Sequence, residues 1–533
     1  MSPQPDSRPG SQPNFLFIIT DQHRADHLGC YGNKVVRTPN IDSLAAAGLR
    51  AERFHVANPV CSPNRASIVT GRMPSQHRVR HNGIELDMTE TTFIDQLRLA
   101  GYRTTLVGKS HLQCIHNHPA QYPLPAERLP REARRGDGGP HGQEMENLWE
   151  ENPQHDLVYP YYGFERADLS IMHSDSQFGH WRRWIRAQIP DADRLIGPEN
   201  AIPTPEIELA KLGQAWRTRV PEELYPTSWI TDRTIAEMRE SKRQGKPFFI
   251  QCSYPDPHHP YSPPGKYWGM YSPDDVELPH SYRAQHLNTP AHLLNARATR
   301  DAGKAVKTGQ APFACSEREA REAISLNYCA ISTIDDGVGR LLAELESSGL
   351  AKDTVVIFTA DHGDFMGDHQ MLLKGPMHYQ GLIRIPFIWR DTAATGGKTT
   401  GALLQSIDIA PTVLARAGVP AFNGMQGKSM LPVIDDPTQS VRDAVLVEDD
   451  RQRLYFNFQT RVRLRTLVTD SHRLSMYDET AWGELYDLRN DPHELVNLWD
   501  DSGARAIRTE LTERLARELI ATADTSPYPT SIA

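Results

Sequence analysis

Short apolar runs that stop at polar residues recur along the chain, with helical patterns between them. Four of these runs cover residues 14–20, 103–107, 247–252 and 354–359. Continuous apolar runs of this length are typical of strands buried on both faces. Because they alternate with helical segments, we predict a mainly parallel sheet covered by helices on both sides.

Three segments show helical periodicity with clear ends. Residues 38–47 begin at Thr38-Pro39 and stop at Gly48, and residues 92–100 stop at Gly101. The longest, 319–346, places its leucine, isoleucine and valine residues on one side. Such an apolar stripe is expected of a helix that packs on a sheet.

Polar side chains follow the predicted strands at the points where they end. Asp21 and Gln22 follow the first, and Asp361 and His362 follow the last. In open α/β sheets ligand groups lie beyond the carboxyl ends of the strands. Two carboxylates, an amide oxygen and an imidazole suit Mn²⁺ or Ca²⁺ better than Zn²⁺, since no thiolate is offered. The alternative is that Asp361 caps a helix and His362 packs beneath it.

One motif places a reactive side chain at a predicted helix start. Cys61 is followed by Pro63 and Arg65, and then by Thr70-Gly71-Arg72. A helix N-terminus favours negative charge, and proline fits its first turn. The alternative is a buried thiol that acts as a small hydrophobic group.

Three basic residues add positive charge near these groups: Arg65, Lys109 and Lys374. Together with a metal ion they would hold an anion and stabilise charge that develops on it during displacement. The alternative for each lysine is a solvated side chain.

The CxPxR motif at Cys61, with the TGR that follows, resembles the type I sulfatases of the alkaline phosphatase superfamily. The resemblance implies that a formylglycine-generating enzyme oxidises Cys61 to formylglycine and that Arg65 stabilises it. It further implies that the metal-bound hydrate hydrolyses sulfate monoesters, releasing inorganic sulfate and an alcohol or phenol.

The resemblance also assigns roles to residues that match the family's motifs. The implied metal ligands are Asp21, Gln22, Cys61, Asp361 and His362. The implied substrate and proton-transfer groups are Asn82, Lys109, His111, His258 and Lys374. Of these, His111 would help activate or collapse the hydrate, while His258 and Lys374 would bind the sulfate and protonate the leaving oxygen.

Two of these positions leave the substrate class open. Gln22 and His362 resemble the phosphonate monoester hydrolase branch, whereas Lys109 and His111 are the sulfatase choice. We therefore predict an arylsulfatase-like enzyme with side activity toward phosphonate monoesters and phosphodiesters. The alternative is a phosphonate monoester hydrolase or phosphodiesterase that uses the same site. A catalytically inactive binding protein is a third reading, and unmodified Cys61 would favour it.

The chain of 533 residues predicts two domains. Residues 1–435 would form an alkaline phosphatase-like α/β domain, with insertions at about 114–240 and 262–313 that wall the leaving-group pocket. Residues 436–533 would form a smaller α+β domain, with an antiparallel sheet from runs 444–448, 460–469 and 472–477 and a helix over 504–523. The tail 526–533 would be free or would pack on another subunit.

The composition of the chain argues against some classes of binding partner. A net charge of -9 with scattered basic residues argues against nucleic acid. No apolar run reaches membrane-spanning length, and residues 1–13 are polar and proline-rich, so we expect a cytoplasmic protein without membrane contact. Six cysteines without CxxC spacing are expected as free thiols. The resemblance implies a small-molecule ester substrate and a homo-oligomer.

Overall fold

A computed structural model of the chain describes residues 12–118, 136–392 and 396–531. Its strands are β1 Asn14–Thr20, β2 Leu49–His55, β3 Arg103–Gly108, β4 Arg166–Ile171, β5 Phe178–Gly179, β6 Phe248–Tyr254, β7 Phe313–Ala314, β8 Thr354–Ala360, β9 Met371–Leu372, β10 Phe387–Arg390, β11 Lys398–Gln405, β12 Ala444–Asp450, β13 Arg463–Thr469, β14 His472–Tyr477 and β15 Gly483–Asp487.

The helices are α1 Pro39–Ala47, α2 Cys61–Thr70, α3 Pro74–His77, α4 Phe93–Leu99, α5 Glu146–Glu151, α6 His180–Gln188, α7 Glu208–Lys211, α8 Pro226–Gln244, α9 His280–Arg283, α10 Ala291–Asp301, α11 Glu317–Ser347, α12 Gln380–Ile383, α13 Ile409–Ala417, α14 Leu431–Asp435 and α15 Arg505–Ala521. The three helices and all four strands expected from the apolar pattern are therefore confirmed, with small shifts at their ends.

The large sheet has the strand order β11-β2-β10-β8-β1-β6-β3-β4-β5. Strand β1 lies in the middle and pairs in parallel with β6 on one side and β8 on the other. Only β10 and β5 run against the remaining strands of this sheet. The carboxyl ends of the parallel strands consequently meet along one edge.

The side chains of β1 enter two separate cores. Phe15, Phe17 and Ile19 belong to the core beneath α2, α4 and α13, while Leu16 and Ile18 belong to the core beneath α1, α8 and α11. A strand sandwiched in this way must be apolar at every position, which explains the unbroken run in the sequence. The expected sandwich of a mainly parallel sheet between helices is confirmed.

A second sheet follows in the C-terminal part, with the antiparallel order β12-β13-β14-β15. Helix α15 packs on it through Leu511 and Leu515, which join Leu446, Leu467 and Leu474 in a small core. This arrangement confirms the predicted smaller α+β unit. The domain limits 1–435 and 436–533 stay a prediction.

Several elements were not predicted. Strands β2, β4, β10 and β11 belong to the large sheet although the apolar pattern did not reveal them. The segment 114–240 contributes β4 and β5 to the edge of the large sheet, and the segment 262–313 carries α9 and α10. The limits of the two insertions stay a prediction. Residues 119–135 of the first predicted insertion and 1–11 of the polar N-terminus lie outside the described residues.

All six cysteines are free thiols, as expected. Among the described residues, no helix is both long and apolar enough to cross a membrane.

Candidate functional site

The parallel strands deliver a cluster of polar side chains to one edge of the large sheet. Asp21 follows β1, Asp361 follows β8, Lys109 follows β3, and His258 lies in the loop after β6. The ends of β3 and β6 approach closely, because a Cβ atom on Gly108 would lie 1.9 Å from the Ser253 carbonyl oxygen. Gly108 has a φ of 100°, so glycine suits both the conformation and the contact.

Cys61 is the first residue of α2, and every residue of that helix is buried. Its Sγ lies 3.6 Å from Oδ1 of Asp21 and 3.1 Å from Nε2 of His362. Burial, followed by the neighbouring Asp21 carboxylate, raises the pKa of the thiol. Cys61 therefore sits among the groups expected to hold a metal ion, within a few ångströms of both strand ends.

The donor set is chemically suited to a divalent cation. One ligand atom from each of Asp21, Cys61, Asp361 and His362 lies within 4.8 Å of the others. Nδ1 of His362 lies 2.8 Å from the Gly363 carbonyl oxygen, so Nδ1 carries the proton and Nε2 presents a lone pair to the cluster. This hydrogen bond is the usual support of a metal-binding histidine. The residues present thus fit a divalent metal ion.

Arg65 contacts the two carboxylates and not the Cys61 thiol. Its Nε donates to Oδ2 of Asp361 at 2.8 Å, and its guanidinium lies 3.5 Å from Oδ2 of Asp21. Burial alone would raise the pKa of Asp21, but Lys109 and Arg65 hold it well below its usual range. The Asp21 carboxylate is therefore kept ionised and able to bind a cation.

Lys374 is buried between the two halves of the cluster. Its Nζ lies 2.8 Å from Nε2 of His258, 2.9 Å from Oε1 of Gln22 and 3.3 Å from Sγ of Cys61. The Gln22 amide also donates through Nε2 to a carboxylate oxygen of Asp364. Gln22 is thereby fixed with its oxygen toward the site.

Lys109 and His173 form a second buried contact beside Asp21. Nζ of Lys109 donates to Oδ2 of Asp21 and lies 2.9 Å from Nε2 of His173. The ring of His173 stacks on that of His258 with centroids 3.5 Å apart. These contacts join Lys109 and His258 into one network.

Two further predicted residues lie at the margin of this cluster. Oδ1 of Asn82 accepts a hydrogen bond from the backbone N–H of Ser62 at 3.2 Å. His111 is buried, has a φ of 60°, and its Nδ1 has no hydrogen-bond partner among the described residues. Burial, followed by Lys109, lowers the pKa of His111 well below its usual value, so the imidazole is neutral at pH 7.

Some residues of the site were missed by sequence reasoning. His173 lies two positions beyond β4, Asp364 holds Gln22, and Glu144 accepts the backbone N–H of His111 at 2.8 Å. The signal for His173 was a polar residue after a strand, but β4 itself was not recognised. Asp364 stands within the Asp361-His362-Gly363-Asp364 run and could have been found there.

A family model described as Sulfatase matches residues 13–419, and a model described as N-sulphoglucosamine sulphohydrolase, C-terminal, matches residues 367–521. An arylsulfatase of Clostridium perfringens is 27% identical over 95% of this chain and 94% of its own length. The multifunctional alkaline phosphatase superfamily protein PehA of Trinickia caryophylli is also 27% identical, with the same coverage. The crystal structure of a phosphonate monoester hydrolase of Agrobacterium radiobacter is 25% identical, covers 98% of both chains and has a TM-score of 0.75.

The fold and the matched family model define a hydrolase class built on an alkaline phosphatase-like sheet. The chain belongs to the sulfatase family of the alkaline phosphatase superfamily. Hydrolysis of sulfate esters is the activity that this membership supports.

Proposed function

We propose that the protein hydrolyses sulfate monoesters, preferably aryl sulfates, with a formylglycine made from Cys61 by a formylglycine-generating enzyme. The observation that carries the proposal is the convergence on Cys61 Sγ of Asp21, His362 and Lys374, all within 3.6 Å. Groups separated by more than three hundred residues of sequence meet there around one side chain.

The buried charges favour an anionic ester. Arg65, Lys109 and Lys374 bring three positive charges into the site, while the two aspartates bring two negative ones. A divalent ion held by Asp21, Gln22, Asp361 and His362 would add further positive charge and lower the energy of an anionic nucleophile. The resulting excess of positive charge suits the single negative charge of a sulfate monoester and charge that develops during S–O cleavage.

Two side chains are placed to handle protons. Lys374 donates to His258 at 2.8 Å and can give a proton to the alcohol oxygen when its bond to sulfur breaks. His111, kept neutral by burial, can accept the proton released when inorganic sulfate is expelled from residue 61. These assignments follow the roles that the sequence motifs predict.

One segment that contacts the surroundings of the site carries aromatic side chains that would suit an aromatic leaving group. In the segment that joins β12 to β13, Gln452 donates to the carbonyl oxygen of Asn82 at 2.6 Å, and Arg451 donates to that of Gly375 at 2.9 Å. Tyr455 and Phe456 in the same segment are partly exposed. We expect these rings to lie beside the entrance of the site, where they can pack on a phenol. Tyr455→Ala should therefore raise KM for 4-nitrophenyl sulfate more than for ethyl sulfate.

A second candidate activity is hydrolysis of phosphonate monoesters and phosphodiesters. Gln22 and His362 favour it, as does similarity to PehA and to a phosphonate monoester hydrolase structure. Lys109 and His111, which match the sulfatase motif, favour sulfate esters instead. Both ester classes carry one negative charge, so we expect a side activity toward phosphonates.

The test begins with mass spectrometry of the peptide that contains Cys61. The mass of this peptide should show that an aldehyde has replaced the thiol. Protein depleted of metal with EDTA should then regain hydrolysis of 4-nitrophenyl sulfate with Mn²⁺ or Ca²⁺, assayed separately. Cys61→Ala should be inactive, whereas Cys30→Ala should match the wild type. Faster cleavage of 4-nitrophenyl phenylphosphonate than of the sulfate would reverse the two candidates, and an unmodified Cys61 in protein from its native host would favour a binding protein.

A further inference from the structure

His173 lies in the site but belongs to none of the sequence motifs described above. It follows β4 by two residues and is buried. Its ring is nearly parallel to that of His258, with an angle of 5° between the planes. A buried imidazole stacked this closely cannot turn without moving its neighbour.

The contact between His173 and Lys109 has a defined direction. A lysine ammonium has three N–H donors and no acceptor, so Nε2 of His173 must accept in the 2.9 Å contact with Nζ. A second donor of Lys109 is directed to Oδ2 of Asp21. With two of three donors fixed, rotation about the terminal bond is blocked and the third N–H has one direction left.

The same arrangement occurs at Lys374. Its ammonium lies between an oxygen of Gln22 and Nε2 of His258. Each lysine thus contacts one oxygen and one of two imidazoles that stack on each other, and Lys374 also lies 3.2 Å from Nε2 of His362 and 3.3 Å from Sγ of Cys61. This pairing gives His173 the same relation to Lys109 that His258 has to Lys374.

We propose that His173 is a positioning residue that aims the free N–H of Lys109 at the anionic group of the substrate. The inference deepens the proposed function and rests on it. His173 acts through Lys109, because Nε2 is the atom that touches the ammonium. Its ring face also limits the rotation of His258.

Three variants separate this role from simple packing. His173→Gln keeps an acceptor at about the reach of Nε2, His173→Leu keeps the bulk without an acceptor, and His173→Asn keeps a polar group too short to reach Lys109. Because a hydrogen bond to a charged group contributes a factor of roughly 10 to 100, the Leu and Asn variants should lose that much kcat/KM for 4-nitrophenyl sulfate. The Gln variant should stay within about fivefold of the wild type.

A double-mutant cycle with Lys109→Ala supplies the decisive readout. If His173 acts through Lys109, His173→Leu should cost less than about twofold in the Lys109→Ala background. Binding of inorganic sulfate, measured by calorimetry, should follow the same pattern and needs no turnover. The matched control is His155→Leu, because His155 is hydrogen-bonded to the Gln143 carbonyl oxygen and not to Lys109. This variant should leave kcat/KM and sulfate binding unchanged.

The outcomes are distinct. Equal loss from His173→Leu in both backgrounds, or a Gln variant as weak as the Leu variant, overturns the inference. If His173→Leu fails to fold, the comparison of Gln with Asn decides in the same way. A wild-type protein that turns over sulfate esters while the His173 variants match it overturns the inference alone. A wild-type protein that neither hydrolyses the ester nor binds sulfate overturns the proposed function, and the inference with it.

Discussion

The carboxylate of Glu144 accepts the backbone N–H of His111 at 2.8 Å, and the same group accepts the N–H groups of Leu112 at 3.1 Å and Gln113 at 3.2 Å. Glu144 is fully buried and also accepts the hydroxyl of Tyr161. His111 has a φ of 60°, a conformation that residues other than glycine adopt at a cost. Glu144 therefore holds the turn that presents His111 to the site.

Replacing Glu144 should lower activity through this turn. Glu144→Gln keeps the shape but turns an acceptor into a donor, so we expect kcat for 4-nitrophenyl sulfate to fall about tenfold and stability by about 1–3 kcal/mol. Kinetics and denaturant unfolding measure the two effects. Glu85→Gln is the matched control, since Glu85 accepts the N–H groups of Cys114 and Gly142 nearby. An equal loss of kcat in both variants would contradict this role.

Arg451 connects the small sheet to the loop that carries Lys374. Its guanidinium donates to the Gly375 carbonyl oxygen, next to Lys374, and is paired with Asp449 at 2.7 Å. Arg451→Gln should lower kcat about tenfold and, by leaving a buried carboxylate unpaired, should cost about 3–5 kcal/mol of stability.

A double variant tests this connection. Arg451→Gln combined with Asp449→Asn removes both charges, so stability should largely return while kcat stays low. Recovery of both quantities together would show that Arg451 serves stability alone. Denaturant titration and steady-state kinetics on the same samples distinguish the two results.

Stability should depend on pH through His292. Burial lowers its pKa to about 4, with Glu484 opposing the shift and Arg473 adding to it. The unfolded chain takes up the proton first, near pH 6.5. The free energy of unfolding therefore decreases as the pH falls from about 6.5 to 4, by about 3 kcal/mol in total from this group. The difference in unfolding free energy between pH 7.5 and 5 should shrink in His292→Leu. An identical pH dependence in variant and wild type would refute the assignment.

The C-terminal tail is tied to the helix that carries Cys61. Arg72, just beyond α2, pairs with Asp524 at 2.6 Å, and the carbonyl oxygens of Thr522 and Thr525 accept from Gln426 and Asn423. The expectation of a tail that is free or docks on another subunit therefore applies only beyond these contacts. Deletion from residue 522 onward should lower the melting temperature by several degrees. Deletion from residue 528 onward should leave the melting temperature unchanged, and equal effects would contradict this contact.

The sequence was most informative where a strand is apolar at every position. Asp21 and Asp361 could be placed together because β1 and β8 are unbroken apolar runs that end at them. The strand-end rule then placed their side chains at one edge of the sheet.

Recognition of strands from unbroken apolar runs failed where the strands carry charged residues. Strand β2 contains Arg50, Glu52 and Arg53, and β4 begins with a charged residue, Arg166, so neither resembled a buried strand. His173 was consequently missed. Contacts such as Glu144 with His111 depend on how a long connecting segment folds back, and no periodicity encodes that.

If Cys61 is oxidised to formylglycine as proposed, its burial constrains the order of events during synthesis. Its side chain is 1% exposed and lies beneath groups delivered by β1, β8 and the loop of Lys374. The enzyme proposed to oxidise Cys61 would have access to the thiol only while the chain is still unfolded. A polypeptide that folds before this enzyme has acted would retain the Cys61 thiol permanently. Later addition of the enzyme would not activate it. The yield of active protein would then depend on the rate of Cys61 oxidation relative to the rate of folding.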